Sequence, residues 1–70
     1  MIVKVRTESN WTYISDVRTV KTEEGTKDGK TMIDRLLVYR NLYEPLEVVE
    51  VHGNPVYLLN DEGKTIERIN

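Results

Sequence analysis

Met32-Ile33-Asp34-Arg35-Leu36-Leu37-Val38-Tyr39-Arg40 is the stretch on which the fold class turns. Met32, Ile33, Leu36 and Leu37 recur at helical spacing, and Thr31 with Asp34 imitates a capping box at the entrance. Read as one short helix over about 32–42, the segment makes the chain α+β. Read as a strand, Leu36 to Tyr39 is an apolar run buried on both faces, and the chain is all-β. Val38, Tyr39 and the aromatic that follows favour the strand, because branched and aromatic side chains fit a pleated surface.

Composition points the same way. The 70 residues include no alanine but nine Val, five Ile and seven Thr. Alanine is the best helix former, whereas β-branched side chains lose χ1 freedom in a helix and pack well on a sheet.

Working outward, residues 2–7 alternate, with Ile2, Lys4 and Arg6 on one face and Val3, Val5 and Thr7 on the other. Glu8-Ser9-Asn10 reads as a turn. Residues 11–21 read as one long strand whose alternation slips near Ser15-Asp16, which predicts a bulge or bend there. Residues 22–30, with two glycines and no apolar group, read as an exposed loop. Beyond the Glu44-Pro45 break, residues 46–51 form a strand and His52-Gly53-Asn54-Pro55 a turn. Residues 56–60 and 64–69 make a hairpin about Asn60-Asp61-Glu62-Gly63, with a left-handed glycine closing the turn. That register sets Leu58 opposite Ile66 and Leu59 opposite Thr65. The expected fold is a single domain over 1–70: a small antiparallel barrel or roll, SH3-like, of five or six strands.

A domain this short buries only about 60% of the surface its unfolded chain exposes, so disulfides, metals or self-association commonly assist. Cysteine is absent and His52 is the single histidine, which leaves self-association and makes a homodimer an expectation. Residues 1–6 show no signal-peptide pattern, and the longest apolar run, Leu36 to Tyr39, is too short for a membrane span. A cytoplasmic protein is expected.

Charge is uneven: residues 1–40 carry eight Lys or Arg and six Asp or Glu, while residues 41–70 carry two and six. Summed along so small a chain, this balance argues against a phosphate-backbone binder, and nucleic acid is not the expected partner.

Few motifs survive inspection. Gly25 to Thr31 imitates a phosphate-binding loop, but three residues rather than four separate the glycines and the setting is a polar loop. Asn10-Trp11-Thr12 matches a glycosylation sequon without a secretory signal. His52 sits in a turn, and neither a second histidine nor a cysteine exists to complete a zinc site. The carboxylates Glu44, Glu47, Glu50, Asp61, Glu62 and Glu67 read as a solvated face rather than an acid–base pair. No catalytic residue, metal ligand or cofactor is assigned.

The aromatics carry more. Trp11 and Tyr13 share one strand face, although the absence of Phe gives the core a claim on Trp11. The candidate binding residues are Trp11, Tyr13, Arg18, Arg40 and Tyr43. The expected function is a non-enzymatic interaction module that binds another protein, or itself, through a sheet face or edge. Short, alanine-free, charge-rich chains of this kind resemble accessory or inhibitor proteins of phage and mobile elements. The alternative is a single-stranded nucleic-acid-binding domain of OB or SH3 type, using Lys4, Arg6, Arg18, Lys21, Arg35 and Arg40 with Trp11 and Tyr13.

Overall fold

A computed structural model describes residues 1–41 and 47–69. Among these the chain forms seven strands: β1 (Ile2–Thr7), β2 (Asn10–Ile14), β3 (Thr19–Lys27), β4 (Lys30–Tyr39), β5 (Glu47–Glu50), β6 (Val56–Leu59) and β7 (Thr65–Arg68). They pair antiparallel in two sheets, one of order β2-β1-β6-β7 and one of order β3-β4-β5. The protein is all-β. The Glu44-Pro45 break falls outside the described residues.

The deciding stretch is strand β4, and the helical alternative over 32–42 does not form. Leu36 and Val38 turn inward and are fully buried, while Leu37 and Tyr39 on the opposite face are half-buried. Pairing on both sides supplies β4's backbone with partners, Leu36 facing Thr22 on β3 and Val49 on β5.

Two expectations about the strands need correction. Seven strands replace five or six, because residues 11–21 divide between β2 and β3, while residues 22–30 lengthen β3 and β4. Residues 11–21 are not one strand: at Asp16 the backbone enters the left-handed region (φ 58°) and the chain changes sheet. Val17 still donates to the Met1 carbonyl of the first sheet, and Arg18 already donates to the Tyr39 carbonyl of the second. The bend inferred at Ser15-Asp16 is therefore a corner between sheets. Residues 22–30 are not a loop but the distal part of the β3–β4 hairpin, turned by Asp28-Gly29. Both turn residues have positive φ (52° and 78°), the requirement of a type I′ hairpin.

The fold is a two-sheet roll without barrel closure, since the four-stranded and three-stranded sheets remain separate. Their inner faces meet in one core of Val3, Val5, Ile14, Val17, Leu36, Val38, Val51, Val56 and Leu58. Valine dominates it, so the alternation of the strands, rather than large side chains, closes the interior.

The last hairpin departs from its expected register by one residue. Gly63 is left-handed as required (φ 88°), and Leu59 faces Thr65, but Leu58 faces Glu67. A bulge takes up Ile66, which is left 61% exposed.

Candidate interaction face on the four-stranded sheet

Strand alternation fixes what the first sheet shows to solvent. Burying Val3 and Val5 turns Lys4 and Arg6 outward on β1. Register then places Tyr13 beside Lys4 and Trp11 beside Arg6 on β2. On the other side of β1, Lys4 faces Tyr57 of β6, and Tyr57 faces Arg68 of β7. One row therefore crosses four strands as Tyr13, Lys4, Tyr57, Arg68, alternating ring and cation. Trp11 and Arg6 form a second, shorter row beside it.

The side chains interlock. Lys4 Nζ stands 4.5 Å from the Trp11 ring centroid and 5.8 Å from those of Tyr13 and Tyr57. Arg6 Cζ lies 5.4 Å from the Trp11 centroid, and Arg68 Cζ 5.6 Å from that of Tyr57. The Trp11 and Tyr57 rings are tilted by 50° at 5.9 Å between centroids. Cation–ring contacts at exposed sites contribute about 0.5–1 kcal/mol each, enough to order these long side chains without locking them. Trp11 is 37% and Tyr13 59% exposed, so the rings are presented rather than packed away, and the core's claim on Trp11 is not realised.

Cations of both sheets lean on rings, Lys21 Nζ of β3 standing 5.5 Å from the Tyr39 centroid. Among the described residues Lys4 and Arg6 form no ion pair, their charged ends resting on rings instead. Arg35 and Arg40, in contrast, are neutralised by Glu23 and Glu47, each at 2.8 Å. The paired positions of this outer face hold Ile2, Leu59 and Thr65 besides the six ring and cation residues, and no carboxylate.

Of the residues singled out from sequence, Trp11 and Tyr13 meet on this face. Arg18 does not join them: it is exposed at the start of β3, beside a shallow groove of about 240 Å3 lined with Thr19, Lys21, Tyr39 and Asn41. Arg40 is committed to structure, pairing with Glu47 and donating from Nε to the Ser15 carbonyl at 3.4 Å across the corner. Tyr43 lies outside the described residues. Tyr57 and Arg68 were missed, although the alternation of buried Val56 and Leu58 about Tyr57 is readable in the sequence.

A second cluster gathers at the β5–β6 turn. His52, left-handed at φ 49°, is hydrogen-bonded through Nδ1 to Asp34 Oδ1 at 2.7 Å, and its Nε2 lies 3.6 Å from Glu50 Oε2. Asp34 is the residue that the β4 bulge leaves unpaired in the ladder, and its carbonyl accepts from the Val51 and His52 amides. The donor atoms of Asp34, Glu50 and His52 lie within 4.8 Å of one another. All three are solvent-accessible and the imidazole is already held by Asp34, so the cluster acts as a staple between bulge and turn.

In its fold and surface the chain is a small two-sheet β protein with one aromatic, cationic sheet face. Compared with protein-family models, curated proteins and solved structures, it matches none.

Proposed function

We propose that this protein is a non-enzymatic interaction module whose contact surface is the outer face of the β2-β1-β6-β7 sheet. The alternating row Tyr13, Lys4, Tyr57, Arg68 carries the proposal. Large rings with ordered cations beside them are the side chains that dominate binding energies, and here they are exposed on a rigid sheet. An accessory or inhibitor role in a phage or mobile element, the setting that size and composition suggest, suits a module of this kind. The test is retention from a cell lysate by the immobilised protein, with wild type, a Trp11→Ala/Tyr13→Ala variant and a Lys21→Gln variant compared. Species retained by wild type and Lys21→Gln but lost from the aromatic variant support the face. Equal retention by all three, or none by any, contradicts it.

A second reading, self-association, is favoured by the free edge of β2. Among the described residues this strand, Asn10-Trp11-Thr12-Tyr13-Ile14, pairs only with β1, and it carries neither charge nor proline. Sheet edges are ordinarily guarded by such residues, and β3, the corresponding edge of the other sheet, carries Lys21, Glu23, Glu24 and Lys27. Antiparallel pairing of two β2 edges continues the four-stranded sheet across a two-fold axis.

A further inference from the structure

We infer that the partner of this face is single-stranded nucleic acid; the inference rests on the proposed contact surface and names its ligand. The whole-chain charge of −2 argues otherwise only if charge is averaged over the molecule. In the fold it is not averaged. Lys4 and Arg6 give the outer face two cations that form no ion pair among the described residues, with no carboxylate at the positions paired with them. On the opposite sheet Arg35 is held by Glu23 and the adjoining Arg40 by Glu47, and Lys21 stands over the lone Tyr39 ring rather than between several rings.

The alternation of rings and cations decides between polyanions. Neighbouring strands are about 4.8 Å apart, so across the sheet a ring is followed by a cation at each strand spacing. A nucleotide strand offers a flat π face and an anion in every unit, which is the complement of that pattern. An acidic peptide satisfies Lys4 and Arg6 but brings no flat group to the exposed rings of Trp11 and Tyr13. A duplex offers phosphates, but its bases are stacked inside and out of reach of a sheet face. When phosphates draw Lys4 and Arg6 off the ring they now share, the Trp11 face is freed for stacking.

Trp11 is the single tryptophan of the chain, so it reports on its own contact. The probes are decathymidylate, a blunt duplex and decaglutamate, added to the full-length protein at micromolar concentration. Decathymidylate is expected to quench Trp11 emission, and labelled decathymidylate to gain anisotropy. With two phosphates neutralised at Lys4 and Arg6, affinity should fall about fivefold between roughly 50 and 150 mM salt. Trp11→Leu and Arg6→Gln, checked by circular dichroism for an unchanged fold, should each weaken binding several-fold or more, while Lys21→Gln leaves it unchanged. Tighter binding of decaglutamate, or of the duplex, overturns the inference while leaving the face as a contact surface. So does binding that survives Trp11→Leu and Arg6→Gln but is lost in Lys21→Gln. No binding by any probe at the lower salt overturns the nucleic-acid assignment, and the lysate comparison then judges the contact surface separately.

Discussion

At Lys4 an ammonium stands over three rings on three strands' worth of sheet, and the geometry depends on nothing but register. Shift β2 by one residue and Thr12 replaces Tyr13 beside it. Single backbone positions hold such registers. Gly63 closes the β6–β7 hairpin at φ 88°, with its amide donating to the Asn60 carbonyl and no heavy atom within 4 Å of an added Cβ. The space is open, so the penalty for a side chain there is conformational alone. Gly63→Val should destabilise the protein by about 1–2 kcal/mol, seen as a melting temperature lower by roughly 5–15 °C. An unchanged melting temperature means that the turn tolerates a different conformation and that the register of β7, with Arg68 in it, is not fixed by this residue.

Among the elements, β4 separates the two readings of the central stretch most sharply. In a helix Leu36 and Leu37 stand on neighbouring sides; in a strand they point to opposite faces of the sheet. Leu36 is fully buried and Leu37 is half-buried on the outer face. Leu36→Ala should therefore cost about 2–5 kcal/mol, against roughly 1 kcal/mol for Leu37→Ala, as read from urea unfolding midpoints. Equal losses contradict the strand. The alternation of residues 2–7, the strand leading to Glu50 and the turn glycine at Gly63 were all legible, because each depends on local pattern. Asp28-Gly29 was legible too, as the commonest two-residue hairpin pair, but five charges around it suggested a loop instead. Charge reports exposure, and an exposed hairpin is as polar as a loop. The bulge at Ile66 and the corner at Asp16 were not legible in full: the bulge leaves an apolar residue exposed against its pattern, and the corner is set by backbone bonds to Met1 and Tyr39, far off in the chain.

For the whole molecule, strand order is what assembles the face. Trp11 and Tyr13 could be placed together from period two alone, but Tyr57 and Arg68 join them only because β1 pairs with β6 across more than fifty residues of chain. No local signal carries that pairing, and a charge sum taken along the chain does not say that no carboxylate stands at the positions paired with Lys4 and Arg6. Size adds a second consequence. A Val-rich core in an 8.2 kDa chain with an unguarded β2 edge should associate, and light scattering at micromolar concentration should give a mass near twice that value. A mass of one chain at every concentration contradicts the pairing of β2 edges and leaves the outer face untouched. The central claim, that this face is where single-stranded nucleic acid binds, is tested most directly by amide chemical-shift mapping of labelled protein titrated with decathymidylate. Shifts confined to Lys4, Arg6, Trp11, Tyr13, Tyr57, Arg68 and their strand neighbours are the predicted result. Shifts centred on Lys21, Leu37 and Val48 of the opposite sheet, or none at all, contradict it.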